Sequence, residues 1–385
     1  MKIVLAPDSF KDAITAAAAG DAMNQGVHRV LPDAETVACP IADGGEGFAA
    51  TLGETLGLRP MHAPSVDALG RPAMHKCFLG DAASGEGSHP EVATLDLAEC
   101  SGLETLRAAE RDPTQTTTFG LGRMLWSAMQ PDVRKVFMGI GGSATNDAGC
   151  GCAQALGVRF FDQSGRRMLR AITGGDLARI ARIDLAHRHP RLNEIDLRVA
   201  CDVTNPLTGP NGAAHVYGPQ KGASPEDVDR LDAGLVHLAA VIREQLGVEI
   251  ETQEGAGAAG GMGAGAVAFL GGSLVPGADL VLDALDFDRI AADADLILTG
   301  EGRLDGQSLA GKAVLKVAQR AAKHDVPTIA LVGSTDEDAD RCLDIGLHSY
   351  EVLAPDLSAE ESIARTGELL TDAAERVVRR FVGSS

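Results

Sequence analysis

The residues able to do chemistry in this 385-residue chain gather in five short patches, four of them rich in glycine. They read Ala6-Pro7-Asp8-Ser9-Phe10-Lys11, Ala42-Asp43-Gly44-Gly45-Glu46-Gly47, Gly139-Ile140-Gly141-Gly142-Ser143-Ala144-Thr145-Asn146-Asp147, Tyr217-Gly218-Pro219-Gln220-Lys221-Gly222 and Thr299-Gly300-Glu301-Gly302-Arg303. Glycine lets backbone N–H groups come close to an anion, and carboxylate oxygens suit hard cations. Phosphoryl transfer needs both: donors around phosphates, and Mg2+ on oxygen ligands. No patch is decisive alone, but together they make a phosphate-handling enzyme the leading reading.

Spacing sharpens this only in part. Asp43 and Glu46 are three apart in a glycine-rich loop, so both could face one cation. Glu301 and Asp305 are four apart, which on one turn of helix gives one face. Each pair suits a helix cap or exposed charge equally well. Asp8, Lys11, Asp202, Lys221, Arg303 and Lys312 lie in or beside glycine-rich strand ends, away from amphipathic helix faces. That placement makes a phosphate or carboxylate role as good a reading as plain surface charge. Gly139-x-Gly141-x-x-Ala144 and Gly255-x-Gly257-x-x-Gly260 match a dinucleotide fingerprint by letter, but the supporting acidic residue is missing, since Asp162 falls in an apparent turn. An anion-cradling loop explains the first better, with a structural turn as the other reading. The histidines form no ligand spacing, and no Gly-x-Ser-x-Gly elbow is present.

Composition narrows the classes further. Apolar residues make up 45%, charged residues 23% and aromatics 3%, so a globular core must rest on Ala, Val, Leu and Ile. The net charge of −20 repels nucleic acid and anionic membranes, so neither is expected as a partner. The opening apolar run is too short for a signal peptide, and no stretch reaches the roughly 18 apolar residues of a membrane span. Seven scattered cysteines without zinc spacing read as reduced core thiols of a cytoplasmic protein. Trp126, within a helix, reads as core.

The elements that must position these patches alternate. Strands are expected at Lys2–Ala6, Thr36–Pro40, Lys135–Met138, Leu197–Ala200, Asp295–Leu298 and Pro327–Val332, with hairpins of a mixed sheet between Met61 and Leu97. Helices are expected from Thr15 as N-cap to Val30, and over Ala49–Leu56, Phe119–Met129, Glu226–Leu246, Lys312–Lys323 and Glu360–Phe381. Most patches then fall at carboxyl ends of strands, where open parallel sheets bind ligands. The expected fold class is α/β with two α/β domains. A flavodoxin- or Rossmann-like domain comes from both chain ends (1–62 plus 285–385), a second is inserted (63–284), and the active site lies in the cleft.

These residues resemble the bacterial glycerate kinase family, whose product is usually 2-phosphoglycerate. The likeness runs from Ala6 to about Val332 through the patches above. It also takes in Ala200-Cys201-Asp202-Val203-Thr204-Asn205-Pro206-Leu207, Gly257 to Gly265, and Asp305, Gln307, Gly311 and Lys312. Phe48 stands where the family often has Thr, Asp12 where a small residue or Glu is usual, Ser308 for a common Thr and Val314 for a common Pro. The carboxylates and lysines beside them are intact.

The resemblance implies ATP-dependent phosphorylation of D-glycerate, with ATP and Mg2+ as co-substrate and metal. It leaves a homodimer open. The expected base is Asp202, then Asp8, with Lys221 also catalytic, on the phosphates. Ser9, Lys11, Asp43, Gly44, Gly45, Asn146, Asn205 and Arg303 are expected around the substrate. Gly141, Gly142, Ser143, Gly260, Gly261, Gly300, Gly302 and Lys312 are expected around the nucleotide, and Glu301, Asp305 and Asp43 on the metal. The alternatives are 3-phosphoglycerate as product, an NAD-dependent hydroxy-acid dehydrogenase, or a non-catalytic sensor of a phosphorylated metabolite. Because neither fingerprint match has its acid, NAD(P)H is expected not to bind. A fluorescence titration showing saturable micromolar affinity would overturn that and promote the dehydrogenase.

Overall fold

The computed structural model describes residues 1–41, 45, 47–80, 91–304 and 313–384. Its strands are β1 (Lys2–Pro7), β2 (Glu35–Ala38), β3 (Arg59–Val66), β4 (Pro72–Leu79), β5 (Val92–Asp96), β6 (Lys135–Gly139), β7 (Arg159–Asp162), β8 (Ile180–Asp184), β9 (Asp196–Ala200), β10 (Ser273–Val275), β11 (Leu296–Leu304), β12 (Thr328–Thr335) and β13 (Ser349–Val352). Two compact units emerge: Met1–Asp43 with Ala278–Ser385, and Gly44–Gly277. The junction expected at 62/63 would cut through β3, whose whole length is paired with β4.

In the first unit the sheet order is β2-β1-β11-β12-β13, with every pairing parallel. Counted within the unit this is 2-1-3-4-5, the flavodoxin-like doubly wound order. Strands covered on both faces must be apolar throughout, and Ile3 to Ala6 are buried without interruption. The alternation of β12 divides its side chains. Ile329 and Leu331 join the cluster containing Met23, Val27, Leu370 and Val377 of helices Ala16–Val30 and Thr366–Ser384. Ala330 and Val332 join Val314, Leu315 and Ala318 of helix Ala313–Ala322. Thr15 caps the first helix, its hydroxyl accepting from the Ala18 N–H at 3.2 Å.

Two expectations change here. β11 continues past Leu298 to Leu304, because its pairing with β12 holds through Leu304 and Thr335. Glu301 therefore stands on a strand, and the one-turn helical spacing to Asp305 does not apply; Asp305 itself lies outside the described residues. The single terminal helix expected over Glu360–Phe381 is two helices, Ala359–Ala364 and Thr366–Ser384.

The second unit holds a six-stranded mixed sheet in the order β10-β9-β6-β5-β4-β3. β3, β4 and β5 pair antiparallel, as the hairpin-like texture suggested, and β5, β6, β9 and β10 run parallel. A separate ribbon joins β7 and β8. Helix Phe119–Ala128 buries Leu121, Met124, Leu125 and Ala128 at helical spacing. Trp126 falls on its opposite face and is 51% exposed, its ring edge-on to His189 at 4.2 Å, so it is not core. All seven cysteines are free thiols and all but Cys201 are buried. Burial pushes the Cys39, Cys77 and Cys100 thiols up to about 12, which leaves them protonated and unreactive. Among the described residues no helix is long and apolar enough to cross a membrane.

Candidate functional site

In the first unit the crevice of a 2-1-3-4-5 sheet opens where strand order reverses, at the carboxyl ends of β1 and β11. Pro7 registers with Gly300, and the Asp8 N–H donates to the Gly300 carbonyl at 2.8 Å. This sets Asp8, just past the end of β1, beside Glu301 of β11. The Asp8 carboxylate accepts the Ser9 N–H at 2.6 Å, and the Thr299 hydroxyl donates to the Ala6 carbonyl at 2.7 Å, tying the strands just below. Glu301 is buried, while Ser9, Lys11 and Arg303 are exposed. So Asp8, Ser9, Lys11, Gly300, Glu301, Gly302 and Arg303 all belong to one rim. Asp43, Gly44, Asp305 and Lys312 lie outside the described residues.

In the second unit the loop leaving β6 is the centre. Gly141 is half-buried and Gly142 exposed, but Ser143 to Asp147 are buried. Backbone bonds clamp one side: the Leu103 N–H donates to the Gly142 carbonyl and the Ala144 N–H to the Ser101 carbonyl, both at 2.8 Å. The Thr116 hydroxyl donates to the Ala144 carbonyl at 2.8 Å. At the loop's end the Asp147 carboxylate accepts from the Thr118 N–H and hydroxyl, each at 2.8 Å, and from the Gly149 and Gly151 N–H groups at 3.2 and 3.1 Å. One carboxylate thereby fixes the starts of helices Phe119–Ala128 and Cys150–Ala155. Burial pushes its proton affinity up, and the Thr118, Gly151 and Gly149 bonds pull it back.

Lys221 stands behind this loop at 1% exposure. Its Nζ donates to Ser143 Oγ and to the Thr145 carbonyl, both at 2.7 Å. Burial drives the amine down to about 7, opposed by the charge of Asp147. Between these anchors, the Thr145 hydroxyl and both amide atoms of Asn146 are fully buried with no hydrogen-bond partner. Such atoms mark places where water or a ligand group completes the bonding.

Asp202 follows the end of β9 and is exposed; its Oδ1 accepts the Gly277 N–H, at the start of helix Gly277–Ala284, at 2.9 Å. Asn205 holds its own neighbourhood together. It donates to the Asn211 carbonyl at 2.8 Å, accepts the Tyr217 hydroxyl at 2.7 Å, and offers its carbonyl to the Gly257 N–H at 3.0 Å. Gly260 and Gly261 are buried against the loop, with the Ala148 N–H donating to the Gly260 carbonyl at 3.1 Å. The expected residues of this unit, Gly141, Gly142, Ser143, Asn146, Asp202, Asn205, Lys221, Gly260 and Gly261, thus sit around two strand ends and the glycine segment packed on them. In the sequence Asp147 is part of the Gly139–Asp147 patch but carries no assigned role, and Asp96 is not singled out at all. The Asp96 carboxylate accepts the Ala49 N–H at 3.0 Å and pins helix Phe48–Thr55. An acid closing a strand was the available signal for it.

A doubly wound sheet with acids at its switch point and a second unit with a braced glycine loop make an α/β protein whose described residues are those of an anion- and cation-binding site. The comparisons make it specific. The model of the Glycerate kinase family matches residues 3–382. A glycerate kinase of Halalkalibacterium halodurans is 41% identical over 97% of this chain and 96% of its own. A glycerate 2-kinase of Escherichia coli K12 is 42% identical over 88% and 86%. A crystal structure from Salmonella typhimurium LT2, of a protein assigned as a glycerate kinase 2, has a TM-score of 0.88 at 39% identity, covering 100% of this chain and 99% of that one. The chain belongs to the Glycerate kinase family and is an enzyme of that type, a phosphotransferase with an alcohol group as acceptor.

Gly260 tests the packing behind the loop. Its φ is +68°, and a Cβ there would lie 1.9 Å from the Thr145 carbonyl oxygen. Gly260→Ala combines backbone strain with overpacking, so a loss of about 2–4 kcal/mol in unfolding free energy is expected. Chemical denaturation reads it; a wild-type midpoint would mean the two segments part without cost.

Proposed function

We propose that this enzyme transfers the γ-phosphoryl group of ATP to the 2-hydroxyl of D-glycerate in the cytoplasm, giving 2-phosphoglycerate and ADP. The observation that carries the reading is the loop Gly141–Ser143, two glycines and a hydroxyl presented at a strand end and anchored on every side. It has the composition of a phosphate cradle. The choice of hydroxyl leans on the name of the Escherichia coli relative, a glycerate 2-kinase.

Among the described residues no three metal-capable side chains converge. That suits Mg2+ arriving with the nucleotide, since this ion takes one or two carboxylates and keeps phosphate oxygens and water as its other ligands. Asp8, just past β1, and Glu301, on the adjoining strand β11, are the described candidates to hold it, with Asp43 and Asp305 as further ones. When bound it would offset phosphate charge. The chain's own residues do the rest. Asp202 accepts the substrate hydroxyl proton, its side chain oriented by the Gly277 N–H. Lys11, exposed beside Asp8, meets the glycerate carboxylate.

Incubation with ATP, Mg2+ and D-glycerate, followed by 31P NMR, is expected to show one phosphate monoester coupled to the C2 proton, and excess EDTA is expected to stop its formation. A C3 ester would overturn the regiochemistry, and transfer undiminished in EDTA would remove the metal.

Asp202→Asn is expected to lower kcat by about 10²- to 10⁴-fold, the usual worth of a general base. The amide oxygen can still accept from Gly277, so the change as a cap costs well under about 1 kcal/mol. Folding and nucleotide KM should therefore hold. A near-wild-type kcat in the folded variant would pass the role to Asp8.

A further inference from the structure

Lys221 lies in a lysine-glycine patch whose simplest reading is a phosphate contact, and its geometry argues otherwise. The side chain is 1% exposed, and both hydrogen bonds from Nζ end on the loop itself, at Ser143 Oγ and the Thr145 carbonyl. An ammonium has three donors and no acceptor, so two of the three are spent inside the protein. The serine is placed differently. It is 7% exposed and follows Gly142, the exposed residue of the loop. A hydroxyl that accepts from Nζ keeps its own proton to give away.

We propose that Lys221 is a positioning residue that acts through Ser143: it holds the serine oxygen from behind so that the hydroxyl proton points at a phosphate oxygen of the nucleotide or product. The Thr145 carbonyl bond fixes the next turn of the loop and with it Asn146, whose unpartnered amide is the second group this brace orients. The inference rests on the kinase reading above. Asp147, the charged neighbour of Lys221, is committed to Thr118, Gly149 and Gly151, so it does not compete for Nζ by hydrogen bonding.

A double-mutant cycle tests it. Ser143→Ala removes only the hydroxyl and is expected to lower kcat/KM about 10²-fold, the loss typical of one transition-state donor. Lys221→Met keeps the apolar stem and is expected to cost a similar factor. If Lys221 works through Ser143, the double variant is no worse than the poorer single one to within about threefold. Losses that multiply would overturn the inference, as would Lys221→Met with wild-type kcat/KM and merely a lower Tm. Amine-reactive labelling of the wild-type protein read by mass spectrometry is independent of how that variant folds. Lys221 is expected to stay unlabelled with or without ADP; labelling that ADP suppresses would make it a direct phosphate contact. A wild-type protein that makes no phosphoglycerate fails the kinase reading, whereas multiplying losses in an active protein fail only the positioning role.

Discussion

The bracing of one loop by two buried ionisable groups is the constraint around which the second unit is arranged. Asp147 gathers the Thr118, Gly149 and Gly151 donors at one end, and Lys221 gathers Ser143 and the Thr145 carbonyl at the other. Neither group would be tolerated alone, because a buried charge without partners costs several kcal/mol. Each is tolerated because its partners are supplied by the segment it fixes. The lowered proton affinity of Lys221 is the remaining sign of that burial: desolvation outweighs the help from Asp147. Rigidity of this kind is what the proposed phosphate role would call for, since positioned dipoles contribute more than flexible ones of the same type.

The glycines follow from the same constraint. Gly255-x-Gly257-x-x-Gly260 has the letters of a nucleotide fingerprint, yet its open faces are filled by the chain itself. A Cβ at Gly255 would meet Cys201 Sγ at 2.8 Å, one at Gly257 the Pro206 carbonyl at 2.1 Å, and one at Gly260 the Thr145 carbonyl at 1.9 Å. The segment is glycine-rich because two backbones touch there. Gly142 is the contrast, exposed and with only an ordinary 3.4 Å neighbour in Ala98. Two kinds of glycine share one composition, and local letters do not separate them.

That limit explains what the sequence could and could not convey. Alternating apolar runs and the Thr15 cap located the parallel strands and the first helix, because those signals depend on residues close in sequence. The α/β class followed. The length of β11 did not, because its last residues are held by pairing with β12 across distant sequence. Trp126 reads as core from its place within a helix, while the helical phase that turns it outward is set by Leu121, Met124 and Leu125. The site residues were legible as types and the roles were not. Lys221 and Lys11 both sit in patches of polar and charged residues at predicted strand ends or loops, yet one is buried behind a loop and the other exposed after a strand.

The difference between those lysines shows how the two units distribute their work. At the β1/β11 rim of the first unit, charged groups stand at the surface and near-surface: Lys11 and Arg303 are exposed, Asp8 is half-buried, and only Glu301 is covered. Groups there can exchange water for ligand, which suits binding an anion and its counter-ion. In the second unit Asp147 and Lys221 are buried behind the loop, and what reaches the surface beside them is the Gly142 backbone and the Asp202 carboxylate. Exposed long side chains lose rotamer freedom when they bind, whereas a loop already clamped by buried partners has lost that freedom on folding. The first arrangement leaves charged groups free to reorganise around solvent, and the second holds its backbone in a geometry that does not relax.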